Sequence, residues 1–142
     1  MSSEPAATGT VALDGPGVTI DDVVAVARSN ARVELTGEAV ARMNASRAVV
    51  DRLAAGSDAV YGLSTGFGAL ANVSIAPDRR QDLQHALVRS HAAGMGDPVE
   101  TDVVRAMMFL RARTLALGFS GARPMVAQAM LDVVNAGRSI RR

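Results

Sequence analysis

Apolar residues recur along this chain at three- and four-residue steps, with two short extended runs near the N-terminus and a glycine-rich break in the middle. Thr10–Leu13 is β-prone and closes on Asp14-Gly15-Pro16-Gly17, a strong turn cluster. Thr19-Ile20-Asp21-Asp22 reads as a capping box that opens a helix through Val23, Val24, Ala25 and Val26 to about Arg28. Val33-Glu34-Leu35 is a second extended piece. From Thr36 a longer helix is predicted to Ala55, with Val40, Met43, Arg47, Val50 and Leu53 at helical spacing and Gly56 as its stop.

Residues 57–78 break that rhythm. Tyr61-Gly62-Leu63-Ser64-Thr65-Gly66-Phe67-Gly68 carries three glycines in eight residues, too many for a helix interior, so a loop is expected. Helix resumes near Arg79, where Leu83, Leu87, Ser90, His91 and Gly94 share one apolar face and Asp82, His85 and Arg89 the other. Asp97-Pro98-Val99-Glu100 reads as the next start, with Asp97 as N-cap and Pro98 at the first position. The helix that follows is expected to bury Val99, Val103, Met107, Leu110 and Leu117, with Phe109 and Phe119 also in the core, before Gly118 and Gly121 close it. Pro124 opens a last helix through Val126, Met130 and Val133 to Gly137. The class predicted is mostly α, with two or three short strands near the N-terminus. Residues 1–9 are expected to be a disordered tail, 10–137 the folded span and 138–142 a basic tail; no internal repeat is visible.

Composition narrows the functions. The balance is globular, at 49% apolar and 20% charged residues, and 142 residues suffice for one core. Fifteen basic residues, all Arg, against fourteen acidic ones leave +1, no electrostatic case for nucleic acid or an anionic membrane. The absence of Cys excludes disulfides, thiolate zinc sites and cysteine nucleophiles. No apolar run approaches the roughly 18 residues that span a bilayer, and Met1–Gly9 has neither the basic start nor the apolar core of a secretory signal. A cytoplasmic protein is the expectation. Two histidines on opposite helix faces make no metal site by themselves.

Two stretches carry a family resemblance. Tyr61–Gly68, YGLSTGFG, resembles the Tyr-Gly-x-x-Thr-Gly-Phe-Gly loop of the aromatic amino acid ammonia-lyases and aminomutases, and Leu87–Gly94, LVRSHAAG, resembles the helix segment that follows it there. Leu70-Ala71-Asn72, Arg111-Ala112-Arg113, Gly121-Ala122-Arg123-Pro124 and Asn135-Ala136-Gly137 are similar to the family in the same order, so the resemblance spans about residues 58–137. It implies that residues 10–137 are the N-terminal region of a largely helical fold, including the first helices of a long central bundle, in a protein that assembles as a homotetramer. It also implies an electrophile, methylidene-imidazolone, cyclised from an Ala-Ser-Gly triad shortly after the Asn-Ala-Gly helix end. No Ala-Ser-Gly occurs in these 142 residues. The expectation is therefore a fragment cut before the triad, inactive by itself, whose Leu83/Leu87 and Val103/Met107/Leu110 faces self-associate.

The resemblance makes Tyr61 the catalytic base, Ser90 and His91 substrate-binding residues, and Gly62, Thr65, Gly66, Phe67 and Gly68 the loop that carries the base. Taken alone, Tyr61 would read as a tyrosine anchored on the core and His91 as a satisfied core histidine; the octapeptide reverses the first reading. Ser-His at 90–91 is typical of histidine ammonia-lyases and occurs in tyrosine aminomutases, whereas phenylalanine lyases tend to carry an apolar pair. Phe67 favours histidine, since the aminomutases with Ser-His often carry Tyr there. The substrate implied is L-histidine, converted to urocanate and ammonia. Tyrosine or phenylalanine lyases or aminomutases, and a non-catalytic structural fragment, remain the alternatives.

Overall fold

The computed structural model describes residues 9–137, so all but one residue of the expected N-terminal tail, and the whole basic tail, lie outside the described residues. Among the described residues there are two strands and five α-helices: β1 (Thr10–Leu13), α1 (Ile20–Arg28), β2 (Arg32–Leu35), α2 (Gly37–Ala55), α3 (Arg80–His91), α4 (Thr101–Ala116) and α5 (Pro124–Asn135). They divide into two compact units, one holding the chain up to residue 48 and again from 98, the other residues 49–97.

In the first unit β1 and β2 pair in parallel, Val11 opposite Val33 and Leu13 opposite Leu35, with α1 as the connection that parallel strands require. The capping box forms as the sequence predicts. Thr19 Oγ1 accepts from Asp22 N–H at 3.2 Å, and Asp22 Oδ2 accepts from Thr19 N–H at 2.9 Å. These bonds hold the Asp22 carboxyl below its ordinary titration range, the Thr19 backbone N–H contributing most. At the other end of α1, Asn30 takes φ +55°, a left-handed conformation Asn tolerates, and Ala31 N–H returns to Ala25 O at 3.1 Å. At the start of α2, Thr36 Oγ1 accepts from Ala39 N–H at 3.2 Å, as a cap does.

The core is aliphatic around one ring: Leu13, Val26, Val33, Leu131 and Val134 enclose Phe109, with Met43, Leu115 and Ala127 as a smaller cluster. Two polar side chains seal it. Asn135 lies against the free edge of β2, where its Oδ1 accepts from Val33 N–H and its Nδ2 donates to Val33 O, both at 2.8 Å. One amide thereby does the work of a third strand at that position. Arg105, on α4 and 4% exposed, donates from Nε and Nη2 to Val26 O (3.0 and 2.8 Å) and from Nη1 to Val134 O (2.7 Å). Those carbonyls stand in the last turns of α1 and α5, where helix carbonyls carry partial negative charge, and Val134 O accepts from Gly137 N–H as well, at 3.2 Å. Burial pushes the Arg105 guanidinium below its ordinary value, and the two carbonyls compensate the charge.

Three expectations need correction here. The helix after the glycine loop's partner segment starts at Thr101 rather than Pro98; Glu100 is its cap residue with an extended backbone (ψ 141°) and no side-chain cap bond. Pro98's fixed φ suits polyproline-type backbone as well as a first helical turn. The buried face of α4 is Arg105, Phe109, Ala112, Leu115 and Ala116, while Val99, Val103, Met107 and Leu110 are exposed, as is Phe119 at 86%. An Arg at the centre of the inward face made the more apolar stripe look like the core. On α5 the buried residues are Ala127, Leu131 and Val134, with Met130 partly buried against both clusters.

The second unit contains the end of α2, α3 and the segment between them, which turns through short 3₁₀ pieces at Gly68–Leu70 and Pro77–Arg79. No α-helix interrupts residues 57–78, as the glycine content predicts. Gly94 lies beyond the end of α3 and shares no helix face with His91.

Candidate active site

The octapeptide loop is built on hydroxyl groups. Ser64 Oγ accepts from Val60 N–H at 2.8 Å and donates to Asp58 O at 3.0 Å, while Ser64 N–H itself returns to Val60 O at 2.9 Å. Thr65 Oγ1 accepts from Gly62 N–H at 3.2 Å and donates to Gly66 O at 3.1 Å. Both side chains are buried. A one-residue antiparallel bridge between Thr65 and Ser74 closes the loop, with Gly66 N–H donating to Val73 O (3.1 Å) and Ile75 N–H to Ser64 O (2.8 Å). Arg80 ties the exit down, donating to Ala54 O at 3.0 Å, in the last turn of α2, and to Ile75 O at 3.4 Å.

Above this frame Tyr61 is 65% exposed, its ring 6.0 Å from that of Phe67 at 80° between planes, an edge-to-face pair. Gly62 makes room for the pair: its φ is +71°, and a Cβ there would meet Phe67 Cε1 at 2.9 Å. Gly66 is equally confined, since a Cβ would lie 2.7 Å from that of Leu70, and Gly68 opens the 3₁₀ turn that carries the chain away.

Ser90 and His91 end α3. His91 is exposed, contrary to the apolar-face reading, because it occupies the final helical turn and Gly94 does not continue the face. Both side chains converge on one carbonyl: Ser90 Oγ donates to Leu87 O at 2.8 Å, and His91 Nδ1 lies 2.9 Å from Leu87 O and 3.0 Å from Ser90 Oγ. A carbonyl only accepts, so a hydrogen bond from His91 to Leu87 O uses a proton on Nδ1. The structure thus brings together Tyr61, Gly62, Thr65 and Phe67, and separately Ser90 with His91, within one compact unit. Ser64 and Arg80 were missed in the sequence. Serine directly after a tight turn is the signal that could have found the first, since its hydroxyl habitually bonds nearby backbone; for Arg80 the sequence offers none.

Among the described residues no group of three or more His, Asp or Glu side chains is placed to hold a metal ion, and no helix is long and apolar enough to cross a membrane.

A family model for aromatic amino acid lyases matches residues 18–138, and the chain belongs to that family. It is similar to the histidine ammonia-lyase of Streptomyces coelicolor, 60% identical over 128 residues that make up 90% of this chain and 25% of that protein. Among solved structures it is similar to tyrosine aminomutase from Streptomyces globisporus (TM-score 0.84, 33% identity, 90% of this chain and 24% of that one) and to histidine ammonia-lyase from Trypanosoma cruzi (TM-score 0.79, 38% identity, 89% and 24%). The chain therefore spans about a quarter of the length of the relatives it matches.

The family's methylidene-imidazolone is made from Ala-Ser-Gly, and these 142 residues contain no such triad.

Proposed function

We infer that this chain is the base- and side-chain-recognising quarter of a histidine ammonia-lyase, whose reaction converts L-histidine to urocanate and ammonia. The observation that carries the reading is the loop: the chain's single tyrosine stands exposed on a hydroxyl-bonded frame, in the same unit as the Ser90–His91 pair. In this reading the Tyr61 oxygen takes the β-proton of the substrate as ammonia leaves the α-carbon. His91 Nε2 accepts from the substrate's imidazole N–H, and Ser90 holds the ring in that tautomer's place. A site built to hydrogen-bond the substrate's side chain discriminates against side chains that lack a partner group, which disfavours phenylalanine. The phenol of tyrosine would satisfy His91 too, and likeness to a tyrosine aminomutase keeps that substrate as the second reading.

The prosthetic group would come from residues other than these, and the 142-residue chain by itself forms no urocanate. The proposed setting is the cytoplasm, in a homotetramer. The exposed α4 stripe of Val103, Met107 and Leu110 is the surface proposed for association, and a monomer by light scattering at high concentration would count against it.

The test replaces the matching quarter of the Streptomyces coelicolor enzyme with residues 10–137 and follows urocanate by its ultraviolet absorbance. The chimera is expected to deaminate histidine, and Tyr61→Phe to lower kcat by roughly 10²–10⁴-fold, the usual contribution of a positioned base. Turnover of tyrosine without turnover of histidine would establish the second reading instead.

A further inference from the structure

We propose that Phe67 is a positioning residue for Tyr61: ring against ring, it sets the direction in which the loop presents the phenol, and Gly62 supplies the clearance that permits it. The inference rests on the reading of Tyr61 as the base. Within these 142 residues about two thirds of the surface of Tyr61 is exposed. Its ring contact is Phe67, at an edge-to-face geometry that aromatic pairs prefer. Phe67 is itself half-buried and anchored, its carbonyl accepting from Leu70 N–H at 3.0 Å as the 3₁₀ turn begins. The residue between the two rings is held as well, by the bond from Gly62 N–H to Thr65 Oγ1. The fixed part of the loop therefore reaches Tyr61 through Phe67. Any side chain at position 62 would strike the Phe67 ring and move it, so the glycine is part of the same device.

The chain lends itself to a direct test, because Tyr61 is its one tyrosine and it has no tryptophan. Biosynthetic 3-fluorotyrosine gives a single fluorine resonance, and phenol fluorescence anisotropy reports the same ring. In the 142-residue chain, Phe67→Leu is expected to shift and narrow that resonance and to lower the anisotropy, while the amide signals of Gly66 and Ile75 in the Thr65–Ser74 bridge stay in place. Gly62→Ala should shift it too, by displacing the ring at 67. Phe67→Tyr, which keeps a ring, should add a second resonance and leave the first where it was. An unmoved fluorine in Phe67→Leu overturns the proposal. So does a shift accompanied by loss of the bridge amides, which would make Phe67 a piece of loop packing.

In the chimera, Phe67→Leu is expected to lower kcat about tenfold or more with KM held within about twofold, the signature of a misdirected reacting group. The two readings fail separately. If Tyr61 is not the base, Tyr61→Phe stays active while the fluorine still answers to Phe67; if Phe67 does not position it, Tyr61→Phe is inactive and the fluorine ignores Phe67.

Discussion

The two units of this chain are stabilised by different physics. Every buried hydrophobic side chain among the described residues, from Val11 to Val134, belongs to the unit of β1, β2, α1, α4 and α5. In the unit of residues 49–97 the buried side chains are Ser64 and Thr65, and α3 buries none. The first unit is held by apolar area removed from water, the second by short-range hydrogen bonds, each with a net worth of only about 0.5–1.5 kcal/mol. A segment held this way opens at lower cost than an apolar core, and the loop around Tyr61 belongs to it.

Substitutions sharpen the contrast, the largest effect first. Phe109→Ala removes the central ring of the first unit and is expected to cost about 4 kcal/mol in urea unfolding followed by circular dichroism. A loss under about 1 kcal/mol would mean that the enclosure of Phe109 is not what holds this unit. Arg105→Met keeps the bulk but strips three hydrogen bonds from two helix ends, and is expected to cost about 3 kcal/mol in the same assay. If it were neutral, the guanidinium would be an accessory to packing that α1 and α5 already achieve.

Thr19→Ala should cost about 1 kcal/mol, the usual worth of a cap. Its effect has a pH signature. The folded state holds Asp22 below its ordinary range, so the unfolded state binds the proton more readily, and the contribution is present above that ordinary range of about 4 and lost as pH falls through the folded value. Thr19→Ala should therefore reduce the pH dependence between about pH 5 and pH 2; an unchanged acid limb would show that the Thr19–Asp22 pair does not set it. The smallest effect addresses the comparison itself. Amide exchange at Gly66 and Ile75 is expected to proceed by local opening, unchanged in Phe109→Ala, while exchange at Val33 accelerates with that variant's global loss. If both sets accelerate together, the two units open as one.

The local chemistry of most elements was legible in sequence. The capping box at Thr19, the turn at Asp14–Gly17, the stop at Gly118 and the glycine loop at 61–68 each depend on residues within a few positions of one another, and each stands where the pattern puts it. Family membership was legible through the octapeptide and the Leu87–Gly94 segment. The inward face of α4 was not. Two rows of that helix compete, and the row with Val103, Met107 and Leu110 is the more apolar; the row that won contains Arg105, whose burial depends on carbonyls presented by residues 26 and 134. Ser64 was overlooked for a smaller reason of the same kind, its partners being main-chain atoms that no side-chain pattern reveals.

By itself, then, the sequence determined the capped start of α1 and the turn at Asp14–Gly17, that residues 61–68 form a loop, and which chemistry the lone tyrosine and the Ser-His pair resemble. Only the tertiary structure decided that β1 and β2 pair in parallel, that Asn135 completes their edge, that Arg105 lies inside and that Phe67 stands against Tyr61. The dividing line is range. Caps and turns are settled between neighbours, whereas the face a helix buries depends on what distant segments offer it, and for α4 two carbonyls offered more than an apolar stripe.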